Sequence, residues 1–136
     1  MMLEQDCCKG FLMNVTTQEI ENTNEAIDPD WELHPHEVHA ARRAGKKLLL
    51  LDVRYQEEWD IANIDQSLLI PLDELPQRLL ELETWRNHRV VVFCRSGVRS
   101  LQAAAILREA GFKSVHSMAG GIVRWAEVVD PSIRWW

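Results

Sequence analysis

One stretch of this 136-residue chain, "VVVFCRSGVRS" at residues 90–100, holds the residues for nucleophilic chemistry. Cys94 ends an apolar, β-branched run, and Arg95, Ser96, Gly97, Val98 and Arg99 follow it directly. Beyond them "RSLQAAAILREAG" has the composition and period of a helix that starts near Arg99, with Gly111 as its stop. A thiol at the carboxyl end of a strand, facing the start of the next helix, sits where open α/β sheets bind their ligands. The unpaired N–H groups and positive dipole end of that helix, joined by two guanidiniums, favour thiolate, the reactive form of cysteine. Ser96 and Gly97 are small enough for the loop to curl and turn N–H groups inward as an anion cradle. Burial as an inert thiol is the common fate of a free cysteine. Such a residue is more often flanked by apolar side chains than by "RSGVRS", so Cys94 is expected to react.

The elements that must position this thiol alternate between strand and helix. "WEL" reads as a short strand, and His34-Pro35 as a helix start with proline at the first helical position and Gly45 at the far end. "KLLLLDVR" (47–54) is a continuous apolar run that suits a strand buried on both faces. "YQEEWDIA" predicts a short helix and "SLLIP" a brief strand closed by Pro71. "LDELPQRLLELETW" places Leu72, Leu75, Leu79 and Leu82 on one helical face. "RVVVFC" is the second apolar strand and predicts Cys94 as its last residue, "SVHSM" is a last strand, and "GGIVRWAEVV" is a last helix. This order predicts an α/β domain with a mainly parallel central sheet flanked by helices on both faces. Residues 1–28 are polar and without period, which predicts a flexible N-terminal arm ahead of a single domain over residues 29–136.

Composition narrows the function classes. The chain is 46% hydrophobic and 26% charged, ordinary values for a globular domain, and its formal net charge is −6. An acidic chain with no basic run longer than a pair is a poor nucleic-acid binder. Its longest apolar run is too short to cross a bilayer, and "MMLEQDCCKGFLMNV" lacks a secretory pattern, so a cytoplasmic location is expected. Three cysteines, two of them the adjacent Cys7 and Cys8, do not make a disulfide framework. Cys94 is therefore read as a free thiol. His36 and His39 lie three apart on one helical face, but no cysteine or carboxylate in a firm pattern joins them. They are read as a solvated face, and no metal or cofactor is expected.

"CRSGVRS" after "VVVF", with "LLLLDVR" and "EEW" upstream and "MAGGIVRW" downstream, resembles the rhodanese-like sulfurtransferases over about residues 28–131. That resemblance implies that Cys94 is a catalytic nucleophile that becomes a persulfide. Arg95, Ser96, Gly97, Val98 and Arg99 would form the substrate loop around the sulfane sulfur, with Arg95 and Arg99 holding an anionic donor such as thiosulfate. Asp52 and Arg54 match the family's Asp-x-Arg in a supporting place, and Gly120, Gly121 and Trp125 match its Gly-Gly-x-x-x-Trp ending. From the residues alone, Arg54 is expected to pair with Glu57 or Glu58 and fix the helix that follows. The chain departs from the family at "ANIDQSLLIP", where Asn63 stands for the usual His and Gln66-Ser67 for Gly-Ala. The turn around residues 62–68 is expected to differ for that reason.

The implied reaction moves sulfur from a small donor to cyanide, a thiol or a sulfur-carrier protein, without cofactor or metal. The tail "GGIVRWAEVVDPSI" also resembles rhodanese domains fused to adenylyltransferases that activate sulfur carriers. Two rivals stand beside this reading. One is a non-enzymatic interaction or sensing module, which has no need of a reactive thiol. The other is a cysteine-dependent phosphatase or arsenate reductase, whose Cys-x5-Arg loop is one residue longer than the spacing from Cys94 to Arg99. Trp135 and Trp136 are expected to pack on the body or to offer a partner patch.

Overall fold

The computed structural model describes residues 27–136. Almost all of the expected arm, and both Cys7 and Cys8, lie outside the described residues. Five strands and four α-helices follow one another as β1 (Glu32–Leu33), α1 (Pro35–Arg43), β2 (Leu48–Asp52), α2 (Gln56–Ile61), β3 (Leu68–Leu69), β4 (Arg89–Phe93), α3 (Val98–Glu109), β5 (Ser114–Met118) and α4 (Gly121–Val128). The strand order is β1-β5-β4-β2-β3, and every neighbouring pair is parallel. The α/β reading holds, and β4, the strand that leads to the thiol, is the middle one. Among the described residues no helix is long and apolar enough to cross a membrane.

Continuous apolar runs are needed because this sheet is covered on both sides. Successive side chains of a strand point to opposite faces. Leu49, Leu51 and Val53 from β2 and its extension therefore join Val90, Val92 and Cys94 on one face. Ala103, Ala104 and Leu107 of α3 close that face, their two alanines letting helix and sheet approach. Leu50, Val91 and Phe93 point to the other face, where Val38 of α1 and Ile122 and Trp125 of α4 cover them. Helix α1 is started as expected: His34 Nδ1 accepts from the His36 N–H, and Glu37 returns a bond to the His34 N–H. His36 is exposed, whereas His39 is half-buried, edge-on to the Trp125 ring, so the helix face is not wholly solvated.

Two further expectations need correction. The leucine-rich stretch is not one α-helix but two 3-10 segments, Leu72–Gln77 and Leu79–Trp85. Pro76 has no N–H to give an α-helical turn, and a 3-10 helix repeats every three residues. Leu72 with Leu75, and Leu79 with Leu82, are each three apart, and the extra residue falls at the break, Arg78. Leu75 and Leu82 are buried in the core, so the apolar face survives the change. Cys94, expected as the last residue of its strand, lies one position beyond β4, although Val53 N–H still donates to the Phe93 carbonyl and extends the ladder to it.

Candidate active site

Cys94 lies at the floor of the loop between β4 and α3 and is only 1% exposed. Its Sγ accepts from the Gly97 N–H at 3.1 Å and from the Ser100 N–H at 3.4 Å. Ser100 Oγ lies 3.4 Å from Sγ as well. The curl that aims these donors needs Gly97 at φ 112°, a left-handed value that other residues rarely adopt. Helix α3 begins at Val98, so its first-turn N–H groups, which have no intrahelical acceptor, open onto the same pocket.

The loop is held from behind by α4. Ile122 N–H donates to the Cys94 carbonyl at 2.9 Å and Val123 N–H to the Arg95 carbonyl at 3.1 Å. Drawing these two carbonyls outward leaves the N–H groups turned toward Sγ. Such proximity is possible only because Gly121 has no side chain. A Cβ there would stand 2.4 Å from both carbonyl oxygens. The Gly-Gly of the tail is thus a backbone clamp on the Cys94 loop.

The arginines around the site have different occupations. Arg99 makes a two-pronged pair with Glu58, at 2.8 and 3.0 Å. These bonds, chiefly the side-chain one from Arg99, hold the Glu58 carboxyl down to about 2 and raise the guanidinium above its ordinary value. The Tyr55 ring lies over the same guanidinium, 5.6 Å from it. Arg54 does not pair with the side chain of Glu57 or Glu58, as expected from sequence. It grips Asp52 at 2.8–3.1 Å, and both are fully buried. A strand's period of two puts residues 52 and 54 on one side, which gives the buried charge a nearer partner than the next helix offers. Arg54 still fixes that helix, through the carbonyls of Glu58 and Ala62 at 3.4 and 2.8 Å. Asp52 and Arg54 therefore support the site from below and do not line it.

Arg95 is exposed, and among the described residues its guanidinium has no ion pair or hydrogen bond. Its guanidinium lies 4.9 Å from the centre of the Trp135 ring. Trp135 itself packs against the core face that holds Phe93 and Ile122, while Trp136 is exposed. Ser96 and Val98 are exposed at the mouth. The structure places Cys94 and residues 95–99 around one loop, and it adds contacts not expected from sequence: Glu58 as the partner of Arg99, Ser100 beside the sulfur, and Trp135 beside Arg95. The final serine of "CRSGVRS" was the available signal for Ser100. No local pattern announced the other two.

At residues 62–68 the turn is built without the family's usual residues. Ser67 N–H and Oγ both reach the Ile64 carbonyl, and Asn63 Nδ2 donates to the Trp59 carbonyl. Gln66 stands at φ 64°, a strained value for any residue with a side chain, at the place where the pattern has glycine.

A model of the rhodanese-like domain matches residues 34–128. The probable adenylyltransferase/sulfurtransferase MoeZ of Mycobacterium tuberculosis is 37% identical over 108 residues, covering 73% of this chain and 25% of MoeZ. This chain thus spans only a quarter of that relative. A sulfurtransferase of Allochromatium vinosum is 39% identical over 79 residues, covering 58% of this chain and 72% of the relative. Among solved structures, the human single-domain sulfurtransferase TSTD1 superposes with a TM-score of 0.63 at 26% identity, over 71% of this chain and 96% of that one. With the family's match running from α1 to α4 and enclosing the whole Cys94 loop, this chain belongs to the rhodanese-like domain family.

Proposed function

We propose that this protein is a sulfurtransferase that carries a sulfane sulfur as a persulfide on Cys94. The observation that carries the reading is the cradle itself: one sulfur on the floor of a short loop, with two backbone N–H groups aimed at it. In the first step the Cys94 thiolate attacks the outer sulfur of an anionic donor such as thiosulfate. The Sγ–S bond forms, the donor's S–S bond breaks, and the electron pair leaves with sulfite. The charge then resides on the outer sulfur of the persulfide, facing the first-turn N–H groups of α3. In the second step a nucleophile attacks that outer sulfur and returns Cys94 as thiolate. Cyanide would serve in a test tube, and a thiol or a sulfur-carrier protein in a cell. The similarity to MoeZ favours a carrier protein.

Arg95 is the residue suited to hold the donor anion, because no carboxylate among the described residues neutralises its charge. Arg99, paired with Glu58, shapes the loop more than it attracts anions. A buried thiol free of disulfide suits a reducing compartment such as the cytoplasm. Incubation with thiosulfate followed by intact-mass measurement tests the reading: the expected product has one added sulfur atom, absent from Cys94→Ser. No sulfur gained, together with hydrolysis of aryl phosphates faster than consumption of thiosulfate, would overturn it in favour of phosphatase chemistry.

A further inference from the structure

Beneath Cys94 lie two hydroxyls in series. Ser100 Oγ is 3.4 Å from Sγ, and Ser117 Oγ, from β5, is 2.7 Å from Ser100 Oγ. Both serines are 0% exposed. The β4–β5 register sets Ser117 beside Val92, on the sheet face that also carries Cys94. Among the described residues, Ser100 is the one polar contact of the Ser117 hydroxyl.

A buried hydroxyl hydrogen needs an acceptor, and each serine has one hydrogen to place and lone pairs to receive another. The row has two possible polarities. With sulfur as a neutral thiol the row holds one hydrogen too many: if S–H donates to Ser100 and Ser100 to Ser117, the Ser117 hydrogen is left without an acceptor in the row, and if the direction is reversed the S–H hydrogen is. With sulfur as a thiolate, the row runs toward the sulfur. Ser117 donates to Ser100, Ser100 donates to the anion, and every hydrogen is used. Bonds to an ionised acceptor are stronger than neutral ones, and bonds in series polarise one another where water is excluded. We propose that Ser117 is a positioning residue for sulfur transfer, turning the Ser100 hydroxyl toward Cys94 so that the anionic form of the sulfur is favoured. This deepens the proposed function and rests on Cys94 as its nucleophile.

The charged groups on the elements packed around Cys94 are Arg95 in its loop, Arg89 on β4, Arg99, Arg108 and Glu109 on α3, Glu57, Glu58 and Asp60 on α2, Arg124 and Glu127 on α4, and the Asp52–Arg54 pair at the end of β2. His116 precedes Ser117 on β5 and so points from the opposite face of the sheet. None of these contacts Ser117 Oγ, so a change at Ser117 leaves them in place.

The test is the rate of iodoacetamide alkylation of Cys94 in the full chain. It is followed by peptide mass from about pH 5 to 10, because the thiolate is the form that reacts. Ser117→Ala is expected to slow alkylation near neutrality by about threefold to tenfold, the worth of one hydrogen bond, and to move the midpoint of the profile upward. Ser117→Thr, which keeps the hydroxyl, is expected to restore it. Because Ser117 acts through Ser100, the Ser100→Ala/Ser117→Ala double variant is expected to be no slower than Ser100→Ala alone. An unchanged profile in Ser117→Ala, with or without a lower melting temperature, would overturn the proposal, as would losses that multiply in the double variant. Alkylation needs no sulfur donor, so the outcome is independent of whether thiosulfate loads the cysteine.

Discussion

The clamp of α4 on the nucleophile's loop makes Gly121→Ala the sharpest perturbation available. The new Cβ would stand 2.4 Å from the Cys94 and Arg95 carbonyl oxygens, where ordinary contact begins at 3.4 Å, so loop and helix must part by about 1 Å. The same movement stretches the bonds from Ile122 and Val123, each worth about 1 kcal/mol. Holding alanine at φ 58° adds about 1–2 kcal/mol of strain. Stability is expected to fall by about 2–4 kcal/mol when these losses combine. Sulfur transfer is expected to fall by about 100-fold, the cost of donors misplaced by about 1 Å. Gly45→Ala is the control. Gly45 has φ 75° but nothing within 4 Å of a new Cβ, so it isolates backbone strain from collision. Thermal melting and thiosulfate:cyanide turnover should be measured for both. Turnover in Gly121→Ala within about twofold of that in Gly45→Ala would show that the clamp does not position the loop.

Removing the partner of Arg99 by Glu58→Gln is expected to lower KM for thiosulfate severalfold, as a freed guanidinium faces the donor; an unchanged KM would show that Arg99 is turned away from it. The folded Glu58 carboxyl lies at about 2, below its ordinary 4.5, so its contribution to stability is present above about pH 4.5 and is lost as pH falls toward 2. Acid melts of wild type and Glu58→Gln should differ in that window. Trp135→Ala is expected to raise KM for thiosulfate by about twofold to fivefold with kcat unchanged, the worth of an exposed cation–π contact, and Trp135→Phe to restore it; steady-state kinetics decide. Burial lowers His34 below its ordinary 6.5, and its Nδ1 must be unprotonated to accept from the His36 N–H. Stability from that cap is therefore present above about pH 6.5 and fades as pH falls below it, and His34→Asn should remove this dependence in melts across pH.

The parts of this fold that show in its sequence are those that depend on neighbours along the chain. Apolar runs at 48–51 and 90–93 announce strands covered on both faces, and "CRSGVRS" announces a strand-loop-helix turn around a thiol. The 3-10 segments are half-visible, since the sequence holds both Pro76 and the three-residue leucine spacing, although the same leucines also fit an α-helical face. The partner of Arg54 was visible too, in the period that sets residues 52 and 54 on one side of a strand. What stayed hidden depends on register between distant strands or on where a tail lands. Ser117 meets Ser100 only because β5 pairs with β4 in one register, with Ser117 beside Val92. Trp135 reaches Arg95 only after the chain has turned past α4.

Two ion pairs decide how the charge around Cys94 is divided. Three guanidiniums lie close to the loop in sequence or in space, yet two of them are bound to carboxylates: Arg54 to Asp52 in the core and Arg99 to Glu58 at the rim. A buried guanidinium without its carboxylate would be costly, so the Asp52–Arg54 pair is a structural requirement of a site built above it. The pairing of Arg99 with Glu58 offsets one of the two positive charges that the loop's composition suggests. In the proposed reaction, anion binding would fall to groups that carry no formal charge or are held only by an aromatic ring: the N–H groups of Gly97 and Ser100, the first turn of α3, the Ser100–Ser117 row, and Arg95 over Trp135. Preorganised dipoles of this kind stabilise a sulfur anion without drawing in every anion from solution, because they act at one point and over a short range. In the proposed reaction a charge passes between two sulfur atoms, and such donors would serve it better than bare guanidiniums, which would hold sulfite as firmly as they hold its donor.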